Sequence, residues 1–266
     1  MILHLNESDF IRTNKPIDLS IPIHNGHQPV LAWYCAPVSI EPVMTDRFIG
    51  DVNQGGAVNF NTITFNPHGN GTHTECVGHI SSEKETLNAC LKEFHFLSLL
   101  ISVHPEKVMN DRTQEEDRII TKETLIKALA PFEEEMESVN ALVVRTLPNS
   151  SDKCSIDYSN TNPTYFSVEA IEVINFYEID HLLVDLPSID REEDQGELAG
   201  HHTFWKYPEN PQKHKTITEL IYVPTKVSDG KYLMNLQITS LENDASPSKI
   251  ILFEIETLLS GENLKS

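Results

Sequence analysis

Short runs typical of β-strands recur along almost the whole chain, and they outnumber the segments that suggest helices. Apolar and polar residues alternate in 57–65 and in 232–238, which is typical of strands with one buried face. The apolar run 94–103 suits a core strand or a short helix. The other strand-like runs are 16–22, 141–146, 181–186, 216–223, 231–239 and 249–255. A substantial β-sheet is therefore expected.

Two segments predict helices. Thr121 is suited to cap a helix that Pro131 would end or kink. A second helix is expected after Asn162 and Pro163, a cap followed by proline, because apolar residues recur at helical spacing in 168–174. No repeat or flexible linker divides the chain. These patterns predict an α/β fold with a single mixed-sheet domain over residues 1–266.

Acidic side chains dominate the charge of the molecule. Forty Asp and Glu against twenty Lys and Arg give a formal net charge of −20. Such a surface repels phosphate backbones and anionic lipid, so we expect neither a nucleic-acid partner nor a membrane-surface partner. The first residues do not form a secretory signal, no apolar run is long enough to cross a bilayer, and the four cysteines show no CxxC spacing. A cytoplasmic location is expected.

Histidines are concentrated in one short stretch. His68, His73 and His79 fall within twelve positions, with Glu75 between the last two. In an extended segment the side chains of residues 73 and 75 point to one face, because the strand repeat is two residues. Neighbouring glycines permit the bends that would bring His68 and His79 to the same point. Imidazole and carboxylate ligands suit Zn²⁺ or Mn²⁺. Spacing alone supports a metal site and a set of hydrogen-bonded polar residues about equally.

The stretch Gly-Thr-His-Thr-Glu-Cys-Val-Gly-His at 71–79 resembles the H-x-G-T-H-x-D-x-P-x-H motif of the cyclase family of metal-dependent hydrolases, which includes bacterial kynurenine formamidase and isatin hydrolase. Further landmarks follow in the family's order over nearly the whole chain. They are Asp-Leu-Ser at 18–20, Arg-Thr at 145–146, Asp-Leu-Pro-Ser-Ile-Asp at 185–190, Gly-His-His at 200–202 and Glu219 in Ile-Thr-Glu-Leu. The resemblance implies the swivelling β/β/α fold of that family.

The resemblance also implies roles for individual residues. The metal ligands that it implies are His73, Glu75, His201 and Glu219, with His68 as a further candidate. Glu75 would lie where the family's acid bridges two metals, and His79 would act as general acid and base. His201 is preferred to His202 because Phe204, a bulky apolar residue, follows it at the family's spacing. One or two Zn²⁺ or Mn²⁺ ions are expected as cofactors.

Three departures from the motif affect this ligand set. The family's first histidine falls at Gly69 here and His68 lies one place earlier, so either the loop bulges to let His68 bind or one ligand is missing. The bridging aspartate is replaced by Glu75, whose side chain is longer by one methylene. The proline after the acid is absent. These changes leave a one-metal site and a two-metal site both open.

The implied reaction is hydrolysis of a small amide, formamide or cyclic imide or lactam, as in arylformamidases, by metal-activated water. Trp33 and Tyr34 fall where the resemblance places an aromatic residue near the substrate, and Trp205 lies close to His201 in sequence. Packing in the core or at a subunit contact is an equal interpretation for these side chains. Their flat rings would suit a small aromatic substrate.

Two alternatives to amide hydrolysis stay open. An ester, lactone or polyketide-ring hydrolase would use the same metal chemistry. A non-catalytic member that binds a small molecule or a metal would keep the fold without the reaction. The family also implies a homodimer or a larger homo-oligomer.

Overall fold

The computed structural model describes residues 1–258, which form a mixed α/β structure. The strands are β1 (Ile2–His4), β2 (Asp9–Arg12), β3 (Ile17–Asp18), β4 (Ser39–Pro42), β5 (Met44–Thr45), β6 (Phe48–Ile49), β7 (Asn61–Thr64), β8 (His73–Glu75), β9 (His95–Val103), β10 (Glu106–Met109), β11 (Glu116–Ile120), β12 (Ala141–Thr146), β13 (Tyr165–Phe166), β14 (His181–Val184), β15 (Thr216–Glu219), β16 (Gly230–Ile238), β17 (Ala245–Glu254) and β18 (Glu256–Thr257). The helices are α1 (Leu87–Cys90), α2 (Lys122–Leu129), α3 (Glu133–Met136), α4 (Val168–Phe176) and α5 (Ala199–Trp205).

Seven strands close into a ring in the order β16-β9-β12-β14-β15-β8-β17, because β17 pairs back with β16. Strand β3 pairs with residues 251–252 of β17, beyond the segment 245–247 that pairs with β8. The neighbours β9, β12, β14 and β15 run parallel. The remaining pairings of the ring are antiparallel. The continuous apolar runs of β12 and β14 are buried throughout, as expected for parallel strands covered on both faces. The predicted mixed sheet is confirmed.

Alternate residues of β12 contribute to two separate apolar clusters. Leu142 and Val144 pack with α2, α4 and α5 on the outside of the ring, whereas Ala141 and Val143 face the cluster shared with β16 and β17. This division follows from the two-residue repeat of a strand. Helices α2, α4 and α5 form one layer, since α4 contacts both α2 and α5. Within residues 1–258 no helix is both long and apolar enough to span a bilayer.

The two predicted helices are present, but one cap differs from the prediction. Thr121 caps α2 by accepting a hydrogen bond from the amide of Thr124, and α2 ends just before Pro131. The cap of α4 is Ser167, which accepts from the amide of Ala170. Asn162 was therefore the wrong cap. Its side chain donates instead to a carboxylate that lies outside the helix.

The predicted half-buried strand at 57–65 is the largest error in the fold. Only Asn61–Thr64 forms a strand, β7, and all of its residues are exposed. Across the part of the chain that the structure describes, β7 pairs with β4 alone in a two-stranded ribbon. Because neither face of the ribbon is covered, the apolar residues Phe60 and Ile63 stay exposed despite the alternating pattern.

Candidate metal centre

Strand β8 brings two of the predicted ligands to one face of the ring. It lies between β15 and β17, and its register places His73 directly opposite Glu219. Directly opposed residues of antiparallel strands share a face, so the two side chains meet. Nε2 of His73 lies 3.4 Å from Oε2 of Glu219. Glu75, two residues further along β8, points the same way, and all three side chains are buried.

Threonines fix this register. Thr74 and Thr218, which face each other across β8 and β15, join their hydroxyl groups at 2.8 Å. Thr72, in the Gly-Thr-His sequence, accepts a hydrogen bond from the amide of Ile21 at 2.7 Å and donates to the carbonyl of Leu220. One threonine side chain thus ties the loop before β8 to the chain just beyond β15 and to the segment after β3.

His201 enters the cluster from the first turn of α5. The carboxylate of Asp190 accepts hydrogen bonds from the amides of Gly200 and His201 and from Nδ1 of the His201 ring, at 2.6, 3.1 and 2.5 Å. The other ring nitrogen, Nε2, is therefore aimed at Oε1 of Glu75, 3.0 Å away. His202 is turned outward, and its Nδ1 lies 3.0 Å from the carbonyl of Tyr207. Of the two histidines, only His201 meets the predicted ligands in the described residues.

His68 and His79 approach Glu75 from the opposite side. Oε2 of Glu75 lies 3.1 Å from Nδ1 of His68 and 3.8 Å from Nδ1 of His79. His79 arrives through the 3₁₀ turn Val77–His79, so the chain bends directly after β8, as the neighbouring glycines allow. A second carboxylate, Asp244, lies 3.0 Å from Nε2 of His68 and 3.5 Å from Nδ1 of His79.

The displacement of the first histidine to position 68 has a steric reason. A Cβ atom on Gly69 would lie 2.7 Å from the carbonyl oxygen of Ala32 and 2.6 Å from Sγ of Cys35. Backbone at that distance cannot yield, so position 69 does not accept a histidine. The loop turns so that His68 reaches the cluster, with its ring centroid 4.4 Å from that of His79.

The orientation of the imidazoles fits metal ligation. In His73, His201 and His68 one ring nitrogen faces a hydrogen-bond acceptor, respectively the carbonyl of Gly71, Asp190 and Asp244. The other nitrogen of each ring points towards Glu75 or Glu219. Metal-binding histidines show this arrangement, since the outer acceptor fixes the proton on one nitrogen and leaves the lone pair of the other free.

Three buried atoms at the centre have no hydrogen-bond partner within residues 1–258: Nε2 of His73, Oε2 of Glu75 and Oε1 of Glu219. Leaving such atoms unsatisfied costs roughly 1–3 kcal/mol each, and a bound cation would remove that cost. Ligand atoms of His73, Glu75 and Glu219 lie within 4.8 Å of one another, as do those of His68, Glu75 and His79. Both sets contain Glu75. The donors therefore fit one cation, or two that share Glu75.

Opposite charges determine the pKa values in the cluster. Burial raises the pKa of Glu75, but the positive charge of His79 and hydrogen bonds from His201 and His68 outweigh it and hold that pKa well below the ordinary value. Burial lowers the pKa of His68, whereas Asp244 and Glu75 raise it to a net value of about 10. A cation that binds here would displace protons from these rings.

A cavity of about 310 Å³ opens onto the cluster. Four residues of the cluster line it: His68, His79, His201 and Glu219. The other lining residues are Trp33, Cys35, Asn66, Ser188, Asp190, Arg191, Glu192, Asp194 and Leu198. Trp33 thus lies where a substrate would contact it. Tyr34 is outside this lining, with 66% of its surface exposed.

Trp205, expected near the substrate, does not line the cavity. Its side chain is fully buried in the outer apolar cluster, and its indole N–H donates to the carbonyl of Lys215 at 3.0 Å. The ring packs against His201 at a tilt of 43°, with a centroid separation of 5.4 Å, and does not line the cavity. Trp205 supports the position of a predicted ligand and does not contact the cavity.

Sequence reasoning missed two carboxylates. Asp190 lies in the Asp-Leu-Pro-Ser-Ile-Asp run that carried the resemblance, so its position could have suggested a role. Asp244 lies 176 positions after its partner His68 and belongs to no recognised motif. No local pattern points to it.

The comparisons with known proteins agree with this architecture. Residues 17–191, more than half of the chain, match the model of the Cyclase family, described as "Putative cyclase". The chain belongs to that family. No curated protein matches the sequence.

Solved structures share the fold at low sequence identity. A potential metal-dependent hydrolase with cyclase activity is 16% identical with a TM-score of 0.60, over 90% of this chain and 97% of that one. A predicted metal-dependent hydrolase from Bacillus stearothermophilus is 17% identical with a TM-score of 0.56, over 90% and 98%. Isatin hydrolase A from Labrenzia aggregata, bound to benzyl benzoate, is 14% identical with a TM-score of 0.61, over 90% and 93%. The predicted cyclase-like α/β fold is confirmed.

Proposed function

We propose that this chain is a metal-dependent hydrolase that cleaves a small amide, formamide or cyclic imide or lactam. The observation that carries the proposal is the common orientation of His68, His73 and His201. Each ring has one nitrogen opposite an acceptor and the other directed at a shared pair of buried carboxylates. Membership of the Cyclase family, and solved relatives described as metal-dependent hydrolases and isatin hydrolases, support the same class.

The proposed ligands form two sets around Glu75. His73, Glu75 and Glu219 would hold one cation, with His201 adjacent, and His68 would complete a second set on the open side of Glu75. Imidazole and carboxylate donors favour Zn²⁺ or Mn²⁺. A divalent cation supplies two effects when bound, a lower pKa for water and stabilisation of negative charge on a carbonyl oxygen.

His79 is the proposed proton carrier. It lines the cavity, and 30% of its side chain is exposed, so solvent and substrate can reach it. Its Nδ1 faces Asp244 and Glu75, which favours a proton on that nitrogen and leaves Nε2 as the base. His79 would take a proton from the attacking water and return it to the nitrogen that leaves the cleaved amide.

The cavity limits the substrate to a small molecule. Its volume of about 310 Å³ is at the lower end of the range for small-molecule sites, roughly 300–1,000 Å³. Trp33 offers an aromatic surface in the cavity wall, which suits a planar substrate. A lactone or an ester of the same shape would fit equally, and the assay below separates these substrates from amides.

Metal analysis combined with a substrate panel tests the proposal. The purified protein is expected to contain Zn²⁺ or Mn²⁺ and to hydrolyse at least one of N-formylkynurenine, isatin or a matched lactone. Activity is expected to disappear in chelator and to return when the metal is restored. Glu75→Gln is expected to weaken metal retention, because an amide replaces the shared carboxylate. Full activity in chelator would contradict the mechanism.

A further inference from the structure

We propose that Asp244 is a positioning residue that decides which nitrogen of His68, and which nitrogen of His79, carries the proton. The proposal rests on the metal-dependent function given above. Oδ2 of Asp244 lies 3.0 Å from Nε2 of His68 and 3.5 Å from Nδ1 of His79. A single carboxylate oxygen therefore faces one proposed metal ligand and the proposed proton carrier.

For His68, the consequence is a fixed tautomer. A neutral imidazole carries one proton, and the carboxylate of Asp244 holds it on Nε2. The lone pair is then on Nδ1, which faces Oε2 of Glu75 at 3.1 Å. Without Asp244 the proton could move to Nδ1, and the ring would present an N–H to the cation. Since Gly69 prevents a histidine at the neighbouring position, this carboxylate makes the displaced His68 usable as a ligand.

For His79, the same oxygen favours the opposite tautomer. Here the nitrogen that faces Asp244 is Nδ1, so the proton is held on Nδ1 and Nε2 is left free to accept one. Glu75, 3.8 Å from the same Nδ1, acts in the same direction. Asp244 thus directs the lone pair of His68 inward, and it favours Nε2 as the basic nitrogen of His79.

The chain holds Asp244 firmly in this place. Ala245, the next residue, begins β17 opposite Glu75, and the carbonyl of Asp244 accepts a hydrogen bond from the amide of Cys76 at 3.0 Å. Gly78 permits the approach, because a Cβ on that residue would lie 3.1 Å from Cβ of Asp244 and 2.3 Å from the carbonyl oxygen of Glu85. The backbone of this loop is therefore fixed on both sides of the carboxylate.

A double-mutant cycle tests whether Asp244 acts through His68. Zn²⁺ affinity is measured by chelator competition at constant pH on Asp244→Ala, His68→Ala and the double variant. Loss of an outer hydrogen-bond partner typically weakens metal binding about 10–100-fold, and we expect that loss for Asp244→Ala in the wild-type background. In the His68→Ala background the same change is expected to alter affinity less than about twofold, because no ring is left to orient.

Two further variants make the cycle specific. Asp244→Asn is expected to retain most of the affinity, because its amide oxygen can still accept from Nε2 of His68. Glu242→Ala is the matched control in the same loop. Its carboxylate contacts Thr86 and Asn88, not the histidines, so the Zn²⁺ affinity should not change. Asp244→Ser replaces the alanine variant in the cycle if thermal unfolding shows that the latter does not fold.

The outcomes separate this inference from the proposed function. An equal loss of Zn²⁺ affinity in the wild-type and His68→Ala backgrounds would mean that Asp244 only supports the loop, and would overturn the proposal. Unchanged affinity in Asp244→Ala would overturn it as well. A wild-type protein that binds no Zn²⁺ would instead remove the proposed metal-dependent function itself.

Discussion

The two sides of Glu75 differ in their access to solvent. On one side His73, Glu219 and His201 are at most 3% exposed. On the other, the side chains of His68, His79 and Asp244 are 21–30% exposed. Both sides present imidazoles to the same carboxylate. The difference indicates separate roles: the buried side fixes ligand geometry, and the open side exchanges protons and substrate.

The buried side is also the more rigidly supported of the two. Its ligands lie on β8, β15 and the first turn of α5, and Trp205 packs behind His201. The open side consists of a loop, a 3₁₀ turn and the residue before β17. Catalytic groups on the open side can therefore be changed with little effect on stability, whereas changes on the buried side should destabilise the fold.

The largest expected effect is on the open side. His79→Ala should lower kcat by about 10²–10⁴-fold, the usual contribution of a general acid or base. Metal content should stay at the wild-type level, because the ligands on the buried side are untouched. His202→Ala, in a half-buried histidine outside the cluster, is the matched control and should leave both quantities unchanged. Loss of metal together with activity would assign His79 to the ligands instead.

Substitution of Trp205 and of Trp33 compares the contributions of the two sides to the free energy of unfolding. Trp205→Ala should lower the free energy of unfolding by about 3–5 kcal/mol, because it removes a fully buried indole. Trp33→Ala, in the cavity wall, should cost about 1 kcal/mol or less and should raise KM. Urea unfolding and steady-state kinetics measure these effects. Equal stability losses would show that the two sides are not distinct.

A third comparison concerns two buried histidines at different places in the fold. His201 has carboxylates against both ring nitrogens, and although burial lowers its pKa, Asp190 and Glu75 raise it well above the ordinary value. His181, at the start of β14, has Nδ1 opposite the hydroxyl of Thr216 instead. Burial, with the nearby positive charges of His214 and Lys215, lowers its pKa from 6.5 to about 3. Burial lowers the pKa of both rings, and only in His201 do two carboxylate partners outweigh it and raise the pKa.

The low pKa of His181 predicts a loss of stability in acid. Between pH 6.5 and pH 3 the unfolded chain binds a proton at this ring that the folded chain does not bind. The contribution of neutral His181 to the free energy of unfolding is therefore complete above pH 6.5. It decreases as the pH falls, by about 2 kcal/mol at pH 5. Urea unfolding of metal-free wild type and His181→Gln measures it. If the free energy of unfolding changed with pH in the same way for the two proteins, the prediction would be contradicted.

The smallest effect is expected in the exposed ribbon. Phe60→Ser should change the free energy of unfolding by no more than about 0.5 kcal/mol, since the side chain is already 57% exposed. Light scattering on the same samples measures the mass, and so tests the separate prediction that the protein is a homo-oligomer. A large change in stability without a change in mass would show that the ribbon is covered within one chain.

Local patterns predicted the parts of the fold that depend on neighbouring residues. The buried strands β12 and β14 and the Thr121 cap of α2 follow from short stretches of sequence. The exposed ribbon was misread because alternation reports an apolar face but not whether anything covers that face. The burial of Trp205 likewise depends on the layer of helices around it.

The candidate site shows the same limit. The resemblance drew His73, Glu75, His201 and Glu219 together from distant parts of the chain, and the structure places them within one cluster. Whether His68 can reach the other ligands depended on the space around Gly69, and that space is set by the packing of the loop against distant residues. Asp244 needed the pairing of β17 with β8 before its relation to the histidines could be seen.

Strand β8 is paired with two strands that come much later in the chain, β15 and β17. A slip of one residue between β8 and β15 would put His73 and Glu219 on opposite faces, because side chains alternate along a strand. Tight cation binding would therefore occur only after the C-terminal strands have taken their final alignment. Metal uptake during refolding should accordingly be a late event, and its rate would report the rate at which the ring of strands closes.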